Sequence, residues 1–134
     1  KLCMIGTGYV GLVSGVCFSD LGNDVICVDK DLDKINNLKQ GIIPIYEPGL
    51  EELVLDNLNS KRLNFTNSIK NLPSDINLFF IAVGTPEGSD GNADMSYVYK
   101  VAENIGQHIS TVSVIVNKST VPVGKSPCVP SKPF

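Results

Sequence analysis

The chain has 134 residues, 43% of them apolar and 19% charged, with a formal net charge of −3. That is one soluble α/β domain's worth of sequence, with enough apolar side chains to bury a core. The acidic balance and the scattered basic residues exclude an electrostatic case for nucleic acid or an anionic membrane.

Leu2–Ile5 has strand length and is apolar on both faces, as a central parallel strand should be. The turn Gly6-Thr7-Gly8-Tyr9-Val10-Gly11 follows at once. From Tyr9 to Leu21, apolar residues at Val10, Val13, Val16, Cys17 and Leu21 predict a helix with that face inward. Gly22 and Asn23 supply its stop. Val25–Val28 predicts a second buried strand, closed by Asp29. Leu2–Ser19 carries no charge, but four glycines interrupt it and Asp20 and Asp24 follow closely. A strand, turn and helix fit it better than a signal or membrane segment. The expected location is therefore cytoplasmic.

Asp31 is placed to cap a helix over Leu32–Gln40, with Ile35 and Leu38 inward and Gly41 ending it. Ile42–Gly49 is an apolar loop with two prolines. Leu50–Leu58 predicts a helix whose acidic first turn, Glu51 and Glu52, suits the helix dipole. A short strand over Leu63–Thr66 and a short helix over Asn67–Leu72, broken by Pro73, come next. Ile76–Val83 is the most apolar strand pattern, followed by a loop, Gly84–Asp94. Met95–Ile109 has helical periodicity through Val98, Val101, Ala102 and Ile105, Val112–Val116 is a β-branched strand, and Asn117–Gly124 is the loop leaving it. Three prolines in Lys125–Phe134 cannot continue a helix, so this stretch reads as a disordered tail. The expected fold is α/β: a Rossmann-like, doubly wound, mostly parallel sheet over residues 1–124, truncated at its C-terminal side.

A lone G-x-G-x-x-G carries little weight, but here it follows a strand, opens a helix and precedes a strand that ends in an acid. Gly6 allows the tight turn, Gly8 lets backbone approach a pyrophosphate, and Gly11 permits close helix–strand packing. A diphosphate would sit on the free N–H groups of the helix N-terminus. Asp29, eighteen residues after Gly11, is placed to accept hydrogen bonds from the adenosine ribose, which favours NAD over NADP. The plain alternatives are a glycine turn that binds nothing and a strand-end cap. Gly84-Thr85-Pro86 and Ser119-Thr120 end predicted central strands, where lining a cleft and simply turning the chain are equally open. Cys3, Cys17 and Cys27 read as buried apolar groups, Cys128 falls in the tail, and His108 reads as a surface residue. A single histidine makes no credible metal site.

The combination GTGYVG at Gly6–Gly11, D-x-D-x-x-K-I at Asp29–Ile35, PIYEPGL at Pro44–Leu50, VGTP at Val83–Pro86 and KSTVPVG at Lys118–Gly124 resembles the UDP-glucose/GDP-mannose dehydrogenase family. PIYEPGLEEL and DGNADMSYV are more similar to its UDP-glucose branch. The resemblance implies an NAD-dependent, four-electron oxidation of UDP-glucose to UDP-glucuronate using two NAD. It implies pyrophosphate binding by the turn from Gly6 through Thr7, Gly8, Tyr9 and Val10 to Gly11, and ribose binding by Asp29 and Lys34. It implies that Val83, Gly84, Thr85, Pro86, Ser119 and Thr120 line the cofactor, with Thr120 near the reacting centre. Glu87 departs from the small residue or proline often found there. The family's catalytic cysteine lies in segments beyond this chain, so the chain alone is expected to be inactive. A non-catalytic NAD-binding module and a GDP-mannose-type nucleotide-sugar dehydrogenase are the competing readings, and homo-oligomers are the family's habit.

Overall fold

The computed structural model describes residues 1–89 and 91–122. The tail expected over Lys125–Phe134, with Cys128, lies outside them, as do Asp90 and the last two residues of the Lys118–Gly124 motif. Five strands form one parallel sheet: β1 (Leu2–Ile5), β2 (Val25–Val28), β3 (Leu63–Thr66), β4 (Leu78–Ile81) and β5 (Val114–Asn117). Their order across the sheet is β3-β2-β1-β4-β5. The helices are α1 (Tyr9–Asp20), α2 (Leu32–Lys39), α3 (Leu50–Asn59) and α4 (Ser96–His108), and a 3₁₀ turn spans Ile69–Asn71. No helix among the described residues is long and apolar enough to cross a membrane.

Strand alternation divides the core in two. Leu2, Met4, Val25, Cys27, Leu63 and Phe65 pack with Leu12 and Val16 of α1, Ile35 and Leu38 of α2, and Leu50 and Val54 of α3. On the opposite face, Cys3, Ile5, Phe79 and Ile81 pack with Ile69, Leu72 and Ile76, and with Val98, Ala102 and Ile105 of α4. Helices therefore cover both faces, as a doubly wound sheet requires.

Several boundaries differ from the sequence expectation, and the reason is register. Every strand has four residues because the ladder is set by β1: Leu2 pairs with Val25 and Leu78, and Ile5 with Val28 and Ile81. The apolar run Ile76–Val83 thus pairs only over Leu78–Ile81, and β5 begins at Val114, leaving Val112 exposed. The expected helix over Asn67–Leu72 shrinks to the 3₁₀ turn. The inward face of α1 also differs. Gly11, Leu12, Gly15, Val16 and Ser19 are buried, while Val10 is 51% and Leu21 78% exposed, and Cys17 is exposed rather than buried. Small residues win because the helix lies close to the sheet: a Cβ on Gly15 would sit 2.7 Å from Cys27 Sγ.

A buried polar network ties α1, α3 and the start of β3 together. Asn57 Oδ1 accepts from Ser19 Oγ at 3.1 Å and from Arg62 Nη2 at 3.2 Å. Its Nδ2 donates to the Leu53 carbonyl at 2.9 Å and to Asp20 Oδ1 at 3.3 Å. Ser19 and Asn57 are both fully buried. Asn57→Ala would leave those partners unpaired, and urea unfolding should record a loss of about 1–3 kcal/mol. An unchanged midpoint would show that water satisfies the network instead.

Candidate functional site

The carboxyl ends of β1, β2 and β4 open onto a cleft of about 900 Å³. Its floor is made by the turn after β1. Gly6 has φ +100°, and a Cβ there would lie 2.5 Å from the Ala82 carbonyl oxygen. A Cβ on Gly11 would lie 1.9 Å from the Gly6 carbonyl oxygen. Both glycines are forced by backbone that meets backbone. Gly8 differs: its φ is −70° and a Cβ would meet nothing within 4 Å. No packing demands a glycine there, and Gly8 is one of the residues that line the cleft.

Gly8 is the N-cap of α1 and supplies no side-chain cap. The helical ladder starts with Leu12 N–H donating to the Gly8 carbonyl at 2.9 Å. The amides of the first turn, Tyr9 to Gly11, precede that ladder at the positive end of the helix dipole. They form a ready anion cradle.

Asp29 stands at the end of β2 and is held from three sides. Its Oδ2 accepts from Thr7 N–H at 2.9 Å, from Thr7 Oγ1 at 2.7 Å and from Lys34 Nζ at 3.2 Å. Its Oδ1 accepts from Asp31 N–H at 3.1 Å. Each carboxylate oxygen offers about two acceptor sites, and Oδ1 takes one donor here, so it keeps room for another. Burial pushes the Asp29 carboxyl up, but the Thr7 and Asp31 bonds and the Lys34 charge outweigh it, and its pKa lies below the ordinary value.

Of the residues singled out from sequence, Gly6, Gly8, Asp29, Lys34, Val83, Gly84 and Pro86 line this one cleft. Thr7, Tyr9, Val10, Gly11 and Thr85 do not. Thr7 is buried and its hydroxyl is spent on Asp29. The Tyr9 hydroxyl donates to Glu47 of the Ile42–Gly49 loop, which raises the tyrosine pKa. Glu87 pairs with Ala93 in an antiparallel bridge that pins the loop after β4. Ser119 donates to the Val83 carbonyl at 2.8 Å and so ties the end of β5 to that of β4, beside the cleft rather than in its lining. Thr120 next to it is exposed. Burial pushes the thiols of Cys3 and Cys27 up, Cys27 to about 12, so neither is a nucleophile at neutral pH.

Sequence reading missed one wall. Lys30, the segment Asn67–Lys70 and the α4 residues Tyr97, Lys100, Val101 and Asn104 also line the cleft. His108 does too, half-buried with its ring edge-on to Phe79 at 6.4 Å, so it is not the simple surface residue expected. The only signal was the polar stripe at Tyr97, Lys100, Asn104 and His108, helically spaced beside the buried stripe of α4. Four lysines and one carboxylate line this cleft, in a chain of net charge −3. The cleft therefore draws anions.

Residues 1–130 match the UDP-glucose/GDP-mannose dehydrogenase family, NAD binding domain. The chain is 58% identical to a UDP-glucose 6-dehydrogenase of Rhizobium meliloti over 125 residues, 92% of this chain and 29% of that protein. It is 53% identical to the UDP-glucose 6-dehydrogenase TuaD of Bacillus subtilis, over 98% of this chain and 28% of that protein. Among solved structures, a UDP-glucose dehydrogenase from Pyrobaculum islandicum superposes with a TM-score of 0.86 at 41% identity, covering 92% of this chain and 29% of that one. A ternary complex of GDP-mannose dehydrogenase from Pseudomonas aeruginosa gives 0.85 at 38% identity, covering 90% and 28%. The chain thus spans under a third of the length of these relatives.

Because folding lowers the pKa of Asp29, its charged bonds stabilise the domain above the unfolded-state value of about 4 and fade as pH falls through the folded value. Asp29→Asn should therefore be less stable than wild type at pH 7. Denaturation midpoints of the two proteins should converge on acidification below about pH 4. A pH-independent difference would remove the charge from this account.

Proposed function

Because the chain belongs to the UDP-glucose/GDP-mannose dehydrogenase family, as its NAD-binding domain, we propose that it holds the cofactor for oxidation of UDP-glucose to UDP-glucuronate, a four-electron reaction using two NAD. The substrate assignment is supported by relatives carrying that name at 51–58% identity. The cofactor assignment rests on one observation above others: Gly8 is a glycine that neither φ nor packing requires, at the mouth of an uncapped helix. Close approach of a ligand's diphosphate explains it.

In this reading the amides of Tyr9, Val10 and Gly11 take the diphosphate, and the cleft lysines favour its approach. Asp29 accepts a ribose hydroxyl at Oδ1, while Thr7 and Lys34 fix the carboxylate's orientation. The backbone of Val83–Pro86 lines the middle of the cofactor. Ser119 and Thr120 stand on the nicotinamide side, with the exposed Thr120 hydroxyl nearest the reacting atoms. NAD supplies the hydride acceptor. None of the described cysteines is placed to act as a nucleophile in this cleft, since none lines it, so the covalent step of the second oxidation belongs to other parts of the enzyme.

Gly8→Ala should leave unfolding free energy within about 0.5 kcal/mol of wild type, an ordinary surface effect. It should nevertheless weaken NAD in calorimetry. Gly11→Ala should destabilise the fold itself, because a backbone oxygen occupies the space of its Cβ. Asp29→Ala should lose on the order of 1–3 kcal/mol of NAD binding, the scale of a charged hydrogen bond. Equal affinity of wild type for NAD and NADP would sink the Asp29 assignment. Substrate is tested in the polypeptide that carries this domain, by NADH formation with UDP-glucose and with GDP-mannose. Turnover of GDP-mannose alone would overturn the UDP-glucose reading.

A further inference from the structure

The first turn of α1 carries the uncapped amides, yet its side chains are little packed. Tyr9 is 53% and Val10 51% exposed, Gly8 supplies no side-chain cap, and burial begins only at Gly11. Glu47 reaches this turn from a separate element, its carboxylate accepting the Tyr9 hydroxyl across 38 residues of sequence. Glu47 is itself held in place. Ile43 and Ile45, earlier in its loop, pack against the core. The Glu47 carbonyl accepts from Leu50 N–H at 3.1 Å, where α3 begins. Neither Tyr9 nor Glu47 lines the cleft, so their bond meets the turn from outside it.

We propose that Glu47 is a positioning residue for the diphosphate: by accepting the Tyr9 hydroxyl it ties the start of α1 to the Ile42–Gly49 loop and holds the amides of Tyr9, Val10 and Gly11 in place. This rests on the dinucleotide reading of the cleft. Helix ends fray, because their first amides have no intrahelical partner. Such amides serve an anion only while they converge, and a turn ordered beforehand loses less freedom when the ligand arrives. A hydrogen bond to a carboxylate is stronger than one between neutral groups, which suits it to this task. The Glu47 charge itself does not help, since a carboxylate near the positive end of α1 competes with an incoming phosphate for the helix dipole. Glu47 therefore contributes its acceptor oxygen and its fixed place in the loop, and not its charge.

The test is calorimetric titration of the chain with NAD and with ADP, which carry a diphosphate, beside ligand-observed NMR with adenosine, which carries none. Glu47→Ala and Tyr9→Phe should each weaken NAD and ADP about threefold to tenfold, the fold-change that one hydrogen bond is worth. The double variant should lose no more than either single variant, because both remove the same bond. Glu47→Gln keeps an acceptor oxygen without the charge and should bind within about twofold of wild type or more tightly, an ordinary surface effect. Tyr46→Ala, in the same loop at a residue 91% exposed, should bind as wild type. Adenosine affinity, which reports the fold and the rest of the cleft, should be unchanged throughout. Additive losses in the double variant, or a Glu47→Gln chain as weak as Glu47→Ala, would overturn the positioning role. So would wild-type affinity for NAD and ADP in Glu47→Ala, or equal weakening of adenosine and ADP. A wild-type chain that binds neither NAD nor ADP would overturn the dinucleotide reading and this inference with it.

Discussion

The close approach of α1 to the turn before it is the constraint on which the remainder of the site depends. With a glycine at position 11, the helix enters so near the Gly6 carbonyl that a single added carbon would lie 1.9 Å from it. That approach brings Gly15 down onto Cys27 and Met4, sets the small-residue face of α1 against β1 and β2, and fixes where the helix axis points. The axis in turn aims the uncapped first-turn amides at the mouth of the sheet. A looser contact would tilt the helix and move the anion cradle away from the strand ends.

Asp29 shows how one side chain can serve both the fold and a ligand. Three of its four hydrogen bonds converge on Oδ2, and two of those come from Thr7 inside the glycine turn. The carboxylate thus locks β2 to the turn after β1 while leaving Oδ1 lightly loaded. Burial of a charge normally opposes ionisation, but preorganised donors more than offset it here. Orientation is then fixed before any ligand arrives, so little ordering entropy is left for binding to overcome.

Parallel pairing and strand order explain why the cleft lies where it does. With β1 at the centre, the chain leaves β1 for β2 on one side and returns to β4 on the other. The loops after β1, β2 and β4 diverge at that switch, and the cleft lies between them. The segment after β3 and the helix after β4 close its outer wall. Helix α4 buries Val98, Ala102 and Ile105 against the sheet, which turns Tyr97, Lys100 and Asn104 along the cleft.

By itself the sequence determined the order and type of the elements, the glycine turn, the acid closing β2 and the family, because each is written in local spacing. Apolar runs, caps and glycines act within a few residues of where they stand. Tertiary structure alone decided which face of α1 is buried: there Gly11, Gly15 and Ser19 displace the apolar pattern of Val10, Cys17 and Leu21. It also cut the apolar run Ile76–Val83 to the four residues that β1 can pair, and set the Thr7 hydroxyl as a clamp on Asp29. The wall of Lys30, Lys70 and Tyr97 is assembled from segments up to 67 residues apart (97 − 30). No local pattern encodes that meeting, since it follows from strand order and from the distance at which helices pack on a sheet.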